Sequence, residues 1–191
     1  SVGSKGVINI EREVKMSGSI HDKGVMILSG YLSENFAQES PLSMNASICF
    51  EQSYGGVDGD SASGAELYAI LSSLSGIPLK QNIAATGSIN QKGEIQVVGG
   101  ITEKIEGFYY TCKQKGLTGI QGVIIPQNNS RNIVLSDEVT DAVNKGLFHI
   151  YTVNTVEEAM EILTDMNFDK IKELVKNRLD SFNKIRNSIN K

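Results

Sequence analysis

No tryptophan occurs in this chain, and only two histidines, two cysteines and three prolines stand among its 191 residues. Each scarcity removes a class of function. Without tryptophan, and with aromatics at 6%, the chain has little with which to stack nucleic-acid bases. A net charge of −4 argues the same way, because a general nucleic-acid binder carries a basic surface. Cys49 and Cys112 fit no metal-ligand spacing, and two cysteines make no disulfide framework. A reducing, cytoplasmic setting is the simpler expectation. No apolar run approaches the roughly 20 residues of a membrane span. The first residues, SVGSKGVINIE, hold no apolar signal core and no initiator methionine, so the expectation is a piece excised from a longer protein.

What is present is ordinary for a globular protein: 40% hydrophobic and 21% charged residues. The length allows one domain with a real core and a small appendage. GVINIEREVK (6–15) alternates and reads as a strand, and GVMILSG (24–30) reads as a more buried one. His21 then falls in a Ser/Gly-rich loop between them. SENFAQESPLS reads as a short helix ending before Pro41. MNASICFEQ (44–52) is a strand, SYGGVDGDS a glycine-rich loop, and an apolar helix runs from Ala62 to its stop at Gly76. NIAATGSI (82–89) is a strand that NQKGE turns into a hairpin with IQVVGG. An amphipathic helix over 101–116, the strand GVIIP, a helix in DEVTDAVNKG, the strand LFHIYTV and a helix in TVEEAMEILTD follow. Alternating strands and helices predict an α/β fold of mixed small sheets and packed helices.

The tail differs. Phe168, Ile171, Val175, Phe182, Ile185 and Ile189 recur at helical spacing, interrupted by Arg178. The simpler reading is a helix packed on its own domain. The alternative is a contact with another subunit or a missing domain. The expected division is a main domain over 1–164 and a helical tail over 165–191.

The stretch VDGDSASGAEL (57–67) poses the chemical question. A serine ahead of an apolar helix most often caps it. Gly55, Gly56 and Gly59, however, free the backbone to aim several N–H groups at one point, as an oxyanion hole requires. Ser61 as a nucleophile would need a base. His149 lies in an alternating strand and reads as structural, and GDSAS is not a G-x-S-x-G elbow. A lysine can serve if its surroundings favour the neutral form. Lys104 follows VVGGIT and falls in the first turn of a helix, where the dipole disfavours a cation. Burial there is expected to lower its pKa, although a lysine snorkelling from an amphipathic helix is the plainer reading.

Residues 55–126 resemble the proteolytic domain of Lon proteases. VDGDSAS is similar to the serine motif of the family's B-type and Lon-related branch. TGSINQKGEIQVVGGITEKIEG is similar to its lysine motif: a Thr-Gly strand, a hairpin, Gly-Gly, then a lysine. The two motifs stand in the family's order and at its separation. GVIIP matches the next strand, and looser similarity extends the resemblance to about residues 5–164.

The resemblance implies a serine endopeptidase with a Ser61–Lys104 dyad. It implies that Thr86 orients the lysine and that backbone N–H groups around Asp60 and Ser61 form the oxyanion hole. Asp58, Gly59 and Asp60 belong to the same motif. The two carboxylates are either plain turn residues, shapers of the loop, or partners of Lys104 in an inactive state. Many relatives carry histidines on the strand before the serine loop, where this chain has Ser47 and Cys49. No cofactor is expected in this fragment, because no G-x-x-x-x-G-K-[ST] motif is present. ATP and magnesium belong, by resemblance, to an upstream ATPase module. The implied partners are unfolded polypeptides and further copies of the chain, a hexamer in the full-length protein, with no membrane and no specific nucleic acid. The rivals are a catalytically silent Lon-like scaffold, a different Ser-Lys hydrolase, and a phosphate-binding glycine loop. The last is disfavoured by the charges of Asp58 and Asp60.

Overall fold

The structure is a computed structural model that describes residues 1–189, apart from the side chains of Asn132 and Ile189. In chain order it runs β1 (Gly6–Asn9), α1 (Ile10–Glu13), α2 (Ser19–Phe36), β2 (Asn45–Ile48), α3 (Ser63–Ser75) and β3 (Ile83–Ala85). Then follow β4 (Ser88–Ile89), β5 (Ile95–Gln96), α4 (Ile101–Lys115), β6 (Gly122–Pro126), a 3-10 turn, α5 (Asp137–Asn144), β7 (His149–Val153), α6 (Val156–Thr164) and α7 (Phe168–Ile189). The fold is mixed α and β. β1 and β2 pair in parallel, β4 and β5 form an antiparallel hairpin, and β6 lies between β3 and β7 in a parallel sheet.

β6 explains why the sheet is covered on both faces. GVIIP is apolar at every position but its first glycine, and all five residues are buried. Such a run suits a central parallel strand with helices on either side. Ile124 joins the core formed with α2, α3, α6 and α7, whereas Val123 and Ile125 join a second core with α4, α5 and Phe148.

Two expectations fail at the N-terminal end. The strand expected over 6–15 stops at Asn9, whose side chain accepts the Arg12 N–H at 2.8 Å and caps α1. The strand expected over 24–30, the loop around His21 and the start of the separate short helix are all parts of one helix, α2. Its buried residues His21, Val25, Leu28 and Leu32 recur at three to four. A short apolar run between glycines does not distinguish a strand from a buried helix. Gly24 belongs to the helix because α2 comes close to the serine loop: a Cβ there would lie 3.3 Å from the Asp60 Cβ.

α7 packs on its own domain. Phe168, Ile171, Val175 and Leu179 enter the larger core, and Arg178 turns aside to lie over the Phe182 ring, 5.6 Å from its centroid. Ile185 stays 47% exposed, and the Ile189 side chain lies outside the described residues. Among the described residues no helix is long and apolar enough to cross a membrane.

Candidate active site

The serine loop is held at both ends by backbone. Val57 donates its N–H to the Met16 carbonyl at 2.9 Å and accepts the Gly18 N–H at 2.8 Å. Asp58 then turns its carboxylate onto the N-terminus of α2. Its Oδ1 accepts the Gly59 N–H at 2.8 Å and the His21 N–H at 3.4 Å. The N-cap of α2 is Gly18, which has no side chain to cap with, and a Cβ on Gly18 would collide with this carboxylate. Asp58 thus supplies the missing cap from a distant segment. Gly59, at φ +86°, makes the turn that follows.

Ser61 is not the cap of its own helix. The N-cap of α3 is Ala62, with no side-chain cap bond. Nor, among the described residues, does the Ser61 hydroxyl enter any hydrogen bond. What fixes Ser61 is its backbone. Its carbonyl accepts the Gly87 N–H at 3.0 Å and the Thr86 hydroxyl at 3.4 Å. One turn on, Gly64 donates its N–H to the Gly87 carbonyl at 3.2 Å, and the Ser63 hydroxyl accepts the Ile89 N–H at 3.2 Å. The strand expected over 82–89 is broken at Thr86–Gly87 to make these bonds, and Gly87 adopts φ +149° there. Among the described residues the N–H groups of Asp60 and Ser61 have no acceptor.

Lys104 comes from the other side. Gly100, at φ +64°, caps α4, and Lys104 closes its first turn by donating its N–H to the Gly100 carbonyl at 3.0 Å. Ser61, Thr86 and Lys104 line one cavity of about 320 Å³. The rest of its wall is apolar: Ala62 at the N-cap of α3, Ala65 within α3, Ala84 and Ala85 of β3, Ile105 of α4, three residues of β6, and Phe50. The alanines make the slot by their small size.

The burial expected for Lys104 is absent: its side chain is exposed. It stands on the first turn of α4, at the cavity mouth. Among the described residues neither Asp58 nor Asp60 forms an ion pair with it. Thr86 directs its hydroxyl to the Ser61 carbonyl. His149 sits on β7 with Nε2 2.8 Å from the Gly119 carbonyl oxygen, and His21 is buried in α2, so neither lines the cavity. Ser47 and Cys49 border a separate groove beside β2. Among the described residues no group of three His, Cys, Asp or Glu side chains is arranged to hold a metal ion.

Phe50, which lines the cavity, was not foreseen from the sequence, nor were the buried carboxylates Glu11 and Glu66. An acidic residue within the apolar face of α3 was the available signal.

The sequence has counterparts among known proteins. The family description "Lon protease C-terminal proteolytic domain" matches residues 55–165, more than half of the chain and including Ser61, Thr86 and Lys104. A protein of Escherichia coli named "Putative Lon protease homolog" is 46% identical over 168 residues, which is 88% of this chain and 29% of that protein. Its namesake in Haemophilus influenzae is 48% identical, over 84% of this chain and 27% of that protein. An "Archaeal Lon protease" of Pyrococcus abyssi is 34% identical, over 89% of this chain and 17% of that protein. The chain therefore spans less than a third of the length of these relatives. Since the match takes in the serine loop, the Thr86–Gly87 break and the lysine helix together, the chain belongs to the Lon protease proteolytic-domain family.

Proposed function

We propose that the chain is the peptide-hydrolysing part of a Lon-type protease, with Ser61 as nucleophile and Lys104 as base. The observation that carries this is the shared cavity: Ser61, in the turn that leads into α3, and Lys104, in the first turn of α4, line one slot. In this reading the Ser61 Oγ attacks the scissile carbonyl carbon while neutral Lys104 takes the hydroxyl proton. The free N–H groups of Asp60 and Ser61 face the oxygen that gains negative charge. The C–N bond breaks, and Lys104 returns its proton to the leaving amine. Water then attacks the serine ester, giving a proton to Lys104, and the Ser61 oxygen leaves and recovers it. Thr86 holds the Ser61 carbonyl, and so the nucleophile's backbone, in place. The supporting residues Asp58, Gly59 and Asp60 shape the loop.

For the whole protein we propose what the family implies. Unfolded polypeptides are the substrates, copies of the chain assemble in a ring, and ATP with its magnesium serves an upstream module. The hydrolytic step itself uses only groups of this chain.

One observation favours a second reading of the chain on its own. Lys104 stands exposed in the chain alone, which suits a domain that is silent until neighbouring copies cover it.

A peptide boronic acid tests the proposal. Its boron takes the serine oxygen as a fourth ligand and mimics the tetrahedral intermediate. The expected adduct is on Ser61, absent from Ser61→Ala. An adduct on another residue would overturn the assignment.

A further inference from the structure

Behind Phe50 lies a buried polar cluster that hydrolysis at Ser61 does not use. Glu11 of α1, His21 of α2 and Glu66 of α3 are 4%, 1% and 5% exposed. The Phe50 N–H donates to Glu11 Oε1 at 2.7 Å. The His21 ring stands edge-on to the Phe50 ring, with centroids 5.8 Å apart. Glu66 Oε1 lies 3.5 Å from His21 Nε2, and neither Glu66 oxygen has a hydrogen-bond partner among the described residues. The Glu66 N–H donates to the Ala62 carbonyl at 2.9 Å, one residue beyond Ser61.

Asn9 fixes the tautomer. Its Oδ1 is taken by the Arg12 N–H, so its Nδ2 faces His21 Nε2 at 2.8 Å. Nε2 therefore accepts, and the imidazole proton sits on Nδ1. A carboxylate at Glu66 would set its own lone pairs against that of Nε2, whereas a carboxylic acid would not. Burial and the Glu11 charge indeed push Glu66 up to about 7. Burial also works upward on Glu11, but hydrogen bonds from the Phe50 N–H, its own N–H and the Cys49 thiol outweigh it and hold Glu11 below its ordinary range. The groups facing the cluster are thus Glu11 from α1, His21 from α2, Glu66 from α3 and Cys49 beyond β2, with Asp58 on the His21 N–H. Three buried ionisable side chains cost more than apolar residues of the same volume would. Packing alone does not account for them.

We propose that Glu11 and His21 are positioning residues for the Ser61 cavity: they hold Phe50 as the wall against which the substrate side chain beside the scissile bond packs. Glu66 ties that wall to the first turns of α3. The proposal rests on Ser61 being the nucleophile.

The test uses two peptides that differ only in the residue on the acyl side of the cleaved bond, leucine or alanine. Glu11→Ala should raise KM about tenfold for the leucine peptide and less than about threefold for the alanine peptide, with kcat changed less. Glu11→Gln retains an acceptor for the Phe50 N–H and should recover most of the loss. Glu11→Ala combined with Phe50→Ala should be no worse than Phe50→Ala alone. Equal losses on both peptides, or an additive double variant, overturn the proposal. The Phe50 amide resonance gives a readout free of cleavage. It should lie downfield, move in Glu11→Ala and hold in Glu11→Gln; an unmoved signal overturns the proposal. Cleavage that survives Ser61→Ala would instead overturn the Ser61 assignment, and the amide signal would still decide the role of Glu11.

Discussion

The Ser61 carbonyl oxygen accepts the Gly87 N–H at 3.0 Å, which places the Ser61 backbone under the control of the break between β3 and β4. The return bond, from the Gly64 N–H to the Gly87 carbonyl, makes this a two-point clamp. The clamp needs two glycines because the backbones touch. A Cβ on Gly64 would lie 2.8 Å from the Gly87 oxygen, a main-chain atom that cannot swing away.

Gly64→Ala should therefore cost about 1–3 kcal/mol by overpacking and displace Ser61 as well. Urea unfolding reads the first effect. Binding of the peptide boronic acid, weakened beyond the loss of folded protein, reads the second. Unchanged stability would mean that α3 can move freely away from Gly87.

Asp58 caps α2 from outside the helix. Asp58→Ala should cost about 1 kcal/mol, and Asp58→Asn, which keeps the accepting oxygen, much less. Thermal unfolding of the two variants separates a cap from a carboxylate that serves Lys104. Equal losses of stability would remove the capping role.

Glu66 carries a pH signature. Its carboxyl is raised from an ordinary 4.5 to about 7 by burial, with the charge of Glu11 adding to it. Between those values the folded chain keeps a proton that the unfolded chain has lost. Stability therefore falls as pH rises through that window, by an amount on the order of 3 kcal/mol. Glu66→Gln keeps the neutral shape, so it should change little near pH 5 and stabilise at pH 8 by about 1–3 kcal/mol. Urea unfolding at the two pH values decides; an equal effect at both would place the cost outside ionisation.

The proposed lysine base predicts a direction for the pH profile of cleavage. Only a neutral amine can accept the Ser61 proton, so the rate should rise from about pH 6 to about pH 10. A flat profile of kcat/KM over that range would count against a lysine base.

Much of the site was legible in the sequence because its parts are local. The glycines that turn the chain, the serine before an apolar helix, and Gly-Gly before Lys104 each lie within a few residues of the group they position. α2 was not legible: an apolar run flanked by glycines fits either period, and only packing against the serine loop decides for the helix. Nor was the exposure of Lys104. Its place in the first turn of α4 is a local fact, whereas its hydration depends on what covers the cavity mouth. The Glu11–His21–Glu66 cluster was hidden for a different reason. Its members sit on three separate helices, and no spacing along the chain predicts that they converge on Phe50.

The most direct measurement is digestion of casein, an unfolded protein, by the chain beside Ser61→Ala and Lys104→Ala. Cleavage by the parent chain that is lost in both variants, with their folds intact by circular dichroism, is the expected result. Cleavage at the parent rate in either variant would contradict the Ser61–Lys104 assignment.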